Sequence, residues 1–422
     1  MLSLSVPIDY SWSFSDKTQK DTSYITHSYY TYPAKFIPQL ANRLIKEYSK
    51  DGDLITDPFM GSGTTIVESL VSNRKAIGVD INQIAYLLTK VKITPLNIEQ
   101  LKDEFFTLEN LFCHTKSLFS NYKESQLAEI KNERLDYWFR VNEKNSLSKL
   151  LQHINMIQNG DIRDFFYICF SQILKSSSLW LQKSIKPTRD LNKKEAQVYK
   201  LFFAHAKKMI KKHEEYQSFL NKNILDSIHY YCNISCGDSR SLNTQDNSVD
   251  LIVTSPPYVT SYEYADLHQL PSLWLGYLDD LASFRKKFIG SSAKVRGKID
   301  LQSNMADEII SQLGNKKQME VQNYYADMLE SFLEMKRILK SKGKACIVIG
   351  NTQFKGVDIL NAEVFCEQMQ NLGFKIHNII HREIPSKMLP STRDSSTGRF
   401  SKRQDTDKLA YPTEYILIME KQ

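Results

Sequence analysis

Apolar residues along this chain follow two rhythms. Short runs of β-branched or small residues occur at Leu54–Thr56, Ala76–Val79, Leu251–Thr254 and Ala345–Gly350, each bounded by Gly, Asp or Pro. Runs of this kind predict strands buried on both faces. Between them the spacing turns helical. Phe36–Tyr48 is amphipathic, and Pro38 is tolerated in its first turn, where an N–H has no helical partner. Thr64–Asn73 forms a second helix. Asn323–Lys340 sets Tyr325, Met328, Leu329, Phe332, Met335 and Leu339 on one face of a third. Strands alternating with helices predict an α/β fold with a doubly wound, mostly parallel sheet. Lys375–Ile384 and Glu414–Glu420 read as two further strands. The stretch between them holds Pro385, Pro390, Gly398 and many Ser and Thr, so a long exposed loop is expected there.

One segment breaks the alternation. Residues 96–230 are Lys-rich and helix-like, with aromatic patches at Tyr137-Trp138-Phe139 and Phe165-Phe166-Tyr167. They read as a mostly helical insert whose aromatics form its own core. The insert divides the α/β unit into 26–95 and 231–422. Residues 1–25, polar and aromatic without a period, read as an amino-terminal arm or loop.

Composition narrows the class. Of 422 residues, 41% are hydrophobic and 24% charged, as in ordinary globular proteins. No run approaches the ~18 apolar residues of a membrane span. Met1–Tyr10 lacks the basic and apolar regions of a secretory signal. Six scattered Cys do not make a disulfide framework. Cys232 and Cys236 have no matching second pair, so no metal site is expected. A cytoplasmic protein with reduced thiols fits best.

Charge changes the picture once it is mapped. The net charge is +7. Lys175–His213 carries eleven basic and two acidic residues, Leu281–Ile299 six and none, and Arg382–Lys408 seven and four. These stretches hold +18 together, leaving −11 on the rest. Three basic tracts on an otherwise acidic chain favour a polyanion, because each neutralised phosphate releases a counterion. Candidate contacts are Lys186, Arg189, Lys193, Lys194, Lys207, Lys208, Lys211, Lys212, Arg285, Lys286, Lys287 and Arg393.

Three motifs carry chemistry. Asp57-Pro-Phe-Met-Gly61-Ser-Gly63-Thr-Thr65 follows a strand and opens a helix. Its glycines allow a sharp turn, and the helix start offers N–H groups to an anionic ligand. It is neither the dinucleotide fingerprint nor a P-loop. Asp80 ends the next strand, where a carboxylate can accept two ribose hydroxyls or cap a helix. Thr254-Ser255-Pro256-Pro257-Tyr258 ends another strand. Its prolines fix the backbone, its Ser and carbonyls can accept from an amino group, and Tyr258 offers a face to a flat base.

Together these strings resemble the amino-group DNA methyltransferases, which methylate cytosine N4 or adenine N6 with S-adenosylmethionine. The resemblance covers roughly 25–95 and 232–420. It implies a Rossmann-like methyltransferase sheet with an antiparallel hairpin at one edge. It implies that Asp57, Phe59, Gly61, Gly63 and Thr64 surround the methionine part of the cofactor, and that Asp80 holds the ribose. Asp238, in Cys236-Gly-Asp-Ser239, resembles the adenine contact. Tyr32-Pro-Ala-Lys35-Phe36 resembles the segment closing over the methionine end. Ser255, Pro256, Pro257 and Tyr258 resemble the catalytic loop acting on a flipped base. The insert then stands where a target-recognition region would lie, between the second and third strands.

The resemblance also implies double-stranded DNA as substrate and a cognate restriction endonuclease as candidate partner. It implies a monomer or dimer in a prokaryotic cytoplasm, associated with the nucleoid. Ser at position 255 favours cytosine N4. Adenine N6, an RNA amino group and a non-catalytic nucleic-acid-binding module are the alternatives. The segment Val259–Leu278 either lines the base pocket or packs on the sheet.

Overall fold

A computed structural model describes residues 4–32, 35–114, 132–184, 186–259, 264–278, 280–291, 297, 299–354, 356–385, 392–393, 400–401, 408–409 and 412–422. Seven strands form one sheet. They are β1 (Leu54–Asp57), β2 (Lys75–Asp80), β3 (Cys232–Cys236), β4 (Val249–Thr254), β5 (Leu339–Ile349), β6 (Phe374–Glu383) and β7 (Thr413–Lys421). Their spatial order is β3-β2-β1-β4-β5-β7-β6. The first five run parallel. β7 runs antiparallel between β5 and β6, giving the expected hairpin edge. The order reverses between β1 and β4, where Ile55 pairs with both Ala76 and Leu251. At such a switch point the carboxyl ends of the strands open a crevice. Asp57, Asp80 and Thr254 stand at those ends.

The helices that matter here are α1 (Pro38–Tyr48), α2 (Thr64–Val71), α3 (Gln83–Ile93), α4 (Ile98–Glu109), α5 (Val141–Asn155), α6 (Gly160–Ser177), α7 (Val198–Phe219), α8 (Asn315–Ile338) and α9 (Asn361–Asn371). Helices cover both faces of the sheet at its centre, so β1, β4 and the second half of β5 are buried on both sides. In β5, Cys346 and Val348 face α1 residues Leu40 and Leu44. Their neighbours Ala345, Ile347 and Ile349 face Phe332 of α8 and Phe365 of α9. The two-residue period of a strand produces this sorting. The third helix stops at Ile338, short of the expected Lys340, because Leu339 already pairs with Val249 in the sheet.

Two expectations change. Between β6 and β7, Thr392–Arg393 pairs antiparallel with Phe400–Ser401 and with Lys408–Leu409, where a loop was expected. Each piece is two residues long, too short to show a period; the rest of that stretch lies outside the described residues. The amino-terminal arm is also tied down. Ile8 bridges to His381, and the Asp9 N–H donates to the His381 carbonyl at 2.8 Å, so the arm lines the edge of β6. Trp12 is buried beneath Arg43, whose guanidinium lies 3.7 Å from the ring centre.

The insert is helical. Its aromatics pack together, with Trp138 stacked on Trp180 at 5.3 Å and Phe165, Phe166 and Phe202 buried. Its core does not close on itself. The same cluster continues into Ala85 and Leu88 of α3, Tyr29 and Tyr32 near the amino terminus, and Leu270 and Trp274 after β4. Those last residues put the described part of Val259–Leu278 in a packing role. The Tyr29 hydroxyl meets His213 Nδ1 at 2.7 Å, and His205 Nε2 meets the Tyr29 carbonyl at 2.9 Å.

Candidate active site

The glycine turn after β1 is held from three sides. The Met60 N–H donates to the Val79 carbonyl at 3.0 Å, and the Gly63 N–H to the Met60 carbonyl at 2.7 Å. Buried Lys92 of α3 donates to the Ser62 carbonyl, and burial holds its amine well below the usual lysine range. Gly61 and Gly63 have φ of +47° and +73°. A Cβ at Gly63 would lie 2.6 Å from Thr89 Oγ1, so both conformation and space require glycine there.

Two carboxylates face each other across this turn. Asp57, 2% exposed, accepts from Thr254 Oγ1 at 2.6 Å and from the Phe59 N–H at 3.1 Å. Asp80 accepts from the Gly61 N–H and the Asn82 N–H, each at 2.9 Å and on different oxygens. Each oxygen keeps a second lone pair for a ligand. Burial pushes both acids up to about 6, against the pull of these hydrogen bonds.

The Thr254–Tyr258 loop is fixed to the same framework. Thr65 Oγ1 donates to the Val253 carbonyl at 3.0 Å. The Tyr324 hydroxyl donates to the Pro257 carbonyl at 2.8 Å. The Tyr258 hydroxyl donates to Glu414 Oε2 at 3.1 Å, and Glu414 Oε1 accepts from Arg382 Nη1 at 2.6 Å.

These pieces enclose one cleft. Tyr32, Lys35, Phe36, Asp57, Phe59, Gly61, Thr64, Asp80 and Asp238 line it, together with Ser255 and Pro257. Gly63 lies behind the lining, against Thr89. Pro256 is buried, and Tyr258 reaches towards β7. Lys35 donates to the His27 carbonyl at 2.8 Å, and burial pushes its amine down to about 8. Asp238 is gripped by Arg240, which also reaches Asp327 at 2.7 Å.

Sequence reasoning missed the far wall of the cleft, formed by Lys287, Phe288 and Ile289. Lys287, expected on a polyanion track, is exposed and also lines this cleft. The signal was present: Phe-Ile-Gly directly follows the basic residues. Gly290, at φ +70°, donates to Asp327 Oδ2 at 2.9 Å and turns the chain back towards α8. Glu414 and Arg382 were missed as well, since single strand residues have no motif.

The remaining basic candidates divide. Lys193 donates to the carbonyls of Lys175, Ser178 and Trp180 at 2.8, 2.7 and 2.9 Å. This uses all three ammonium donors and leaves none for a phosphate. Lys207 pairs with Glu109 at 2.9 Å and Lys212 with Glu215 at 2.6 Å. Arg285 pairs with Asp266, and Arg189 lies 4.5 Å over Tyr137. Lys186, Lys194, Lys208, Lys211 and Lys286 are exposed. Arg393 sits in the short pairing between β6 and β7. Among the described residues no His, Cys, Asp and Glu cluster could hold a metal, and no helix is long and apolar enough to cross a membrane.

The model of a family described as DNA methylase matches residues 3–90 and 249–422. The chain belongs to this amino-group (N6/N4) DNA methylase family. The break in the match, 91–248, takes in the helical insert, β3 and Asp238. The Type II methyltransferase M.MvaI of Kocuria varians is 26% identical, aligned over 95% of this chain and 92% of its own length. The Type II methyltransferase M.BsoBI of Geobacillus stearothermophilus is 23% identical over 83% and 78%. The DNA adenine methyltransferase YhdJ of Escherichia coli is 39% identical, but over only 14% of this chain and 20% of its own. The cofactor of this methylase is S-adenosylmethionine. The cleft fits that group: its buried carboxylates have the chemistry to accept from cationic and hydroxyl parts, and Tyr32, Phe36, Phe59 and Phe288 supply flat apolar walls.

Proposed function

We propose that this methylase transfers a methyl group to the exocyclic N4 of cytosine in duplex DNA, as the modification half of a restriction–modification pair. One observation carries the reading: Ser255 and Pro257, on a loop tied to Asp57 through Thr254, line the same cleft as the cofactor candidates. The acceptor amine therefore meets the cofactor inside one rigid frame.

Asp57, Phe59, Gly61 and Thr64 hold the methionine end, Asp80 the ribose, and Asp238 with Phe288 the adenine. Bound there, S-adenosylmethionine supplies an electrophilic methyl on sulfur. The chain supplies position. An exocyclic amine is a poor nucleophile because its lone pair is delocalised into the ring. The Ser255 hydroxyl and the Pro256 carbonyl accept from that amine, favouring the pyramidal form with its lone pair free. The target base leaves the duplex and stacks on Tyr258. Much of the rate gain then comes from alignment.

Ser255 at the head of the loop favours cytosine. The short match to an adenine enzyme makes adenine N6 the second reading. Long-read sequencing of DNA from cells expressing the protein distinguishes them. N4-methylcytosine in a single sequence context is expected; N6-methyladenine alone would overturn the cytosine assignment. Competing duplex DNA against structured RNA in a methyl-transfer assay tests the nucleic-acid class, and duplex DNA should win.

A further inference from the structure

We propose that Glu414 and Arg382 form a buried clamp that sets the plane of the Tyr258 ring, making them positioning residues for the acceptor base. The proposal rests on the methyltransferase reading and extends it to two strand residues outside both motifs.

The geometry is a relay. The Tyr258 hydroxyl donates to one oxygen of Glu414 at 3.1 Å, and the other oxygen accepts from Arg382 at 2.6 Å. Glu414 is at the start of β7 and Arg382 near the end of β6, paired as neighbours in the sheet. Both are buried, at 7% and 3% exposure. A carboxylate this buried is costly unless it is paired. Arg382 supplies the pairing, and so fixes the point to which the phenol is tethered.

The surroundings restrict the ring further. A Cβ at Gly350, at the end of β5, would lie 3.3 Å from Tyr258 Cε2, so glycine lets the ring lie against the strand. The Pro257 carbonyl is held by Tyr324. Arg382 is covered in turn by the amino-terminal arm: its Nη2 donates to the Ser13 carbonyl at 3.4 Å, and its guanidinium lies 5.9 Å from the Phe14 ring centre. A stacking surface needs a defined plane, because a tilted ring presents the base to the methyl at the wrong angle. The tether supplies that plane without touching the cofactor cleft, whose lining includes none of Tyr258, Glu414 and Arg382.

The test is single-turnover methyl transfer with full-length protein, alongside cofactor affinity by calorimetry. Wild-type transfer, scored first on DNA and RNA, tests the methyltransferase reading; the ratio of variant to wild type tests the clamp. Tyr258→Phe keeps the ring and removes the tether, and Glu414→Ala removes its anchor. Each should slow transfer by about tenfold with cofactor affinity within about twofold. The double variant should be no slower than Glu414→Ala alone, because both changes break one path. Glu414→Gln, which retains an acceptor, should recover part of the rate. Tyr258→Phe at the wild-type rate, multiplied losses in the double variant, or an equal loss of cofactor affinity would overturn the clamp. Should Glu414→Ala fail to fold, the Tyr258→Phe rate alone decides.

Discussion

Ser255 and Asp57 lie in one cleft, and under the proposed function they answer to different ligands. With Ser255 on the acceptor side, Ser255→Ala should cut methyl transfer by roughly a hundredfold and leave cofactor affinity nearly intact. Calorimetry beside a rate assay checks this, and a matching loss of affinity would refute the assignment. Asp57 and Asp80 are assigned to the cofactor by the same proposal, and burial pushes both up to about 6. Accepting from ammonium and hydroxyl groups requires their ionised forms. Affinity for S-adenosylmethionine should therefore fall as pH drops through about 6. Binding near that pH should release protons, giving heats that depend on the buffer. A dissociation constant unchanged down to about pH 5 would contradict this. Most of these residues were legible in the sequence, because DPFMGSGTT and TSPPY each combine a backbone constraint with a chemical group. Lys287, Phe288 and Ile289 were not. Their role comes from a chain reversal at Gly290 that brings a distant segment over the cleft.

Among the elements, α2 carries a device that the glycine motif does not announce. Glu68 is fully buried one turn into the helix, accepts from Tyr24 and Asn42, and meets His27 Nε2 at 2.7 Å. Burial pushes its carboxyl up to about 7 and holds His27 well below the usual histidine range. The folded protein thus holds this proton more tightly than the unfolded chain. Stability from that difference is present below the ordinary carboxylate range and is lost as pH rises through 7. Glu68→Gln removes the titration. Its Tm should gain on the wild type between about pH 5 and pH 8, as melting curves across that range would show; a constant difference would exclude Glu68 as the titrating group. The central strands were readable because they are buried on both faces and appear as unbroken apolar runs. The short pairing near Arg393 was not, since two-residue strands have no period. The cofactor-side helices were readable from their apolar stripes. The bonds that tie them together join residues far apart in sequence.

Across the whole molecule, the charge map and the fold agree only in part. The basic tract of the insert follows α7, but Lys207 and Lys212 already have acidic neighbours there. Removing Lys207, Lys208, Lys211 and Lys212 together should therefore weaken DNA binding. It should flatten the salt slope by roughly two units, not four. Binding measured across a salt series decides this, and an unchanged slope would mean that this face does not meet DNA. The insert was legible as helical and basic. Its shared core with α3, Tyr29 and Trp274 was invisible, because a hydrophobic pattern says which faces are buried and not against what.

The late position of β7 has a consequence for biosynthesis. A nascent chain has made every described wall of the cofactor cleft once Ile289 has emerged. Glu414, the anchor of Tyr258, comes more than a hundred residues later. Until then β5 has no partner on the side where β7 will pair, and its apolar face remains a sticky edge. The cleft itself waits for β5 and for α8, whose Tyr324 and Asp327 hold its loops. A chain truncated before β7 should therefore be prone to aggregate through the unpaired edge of β5.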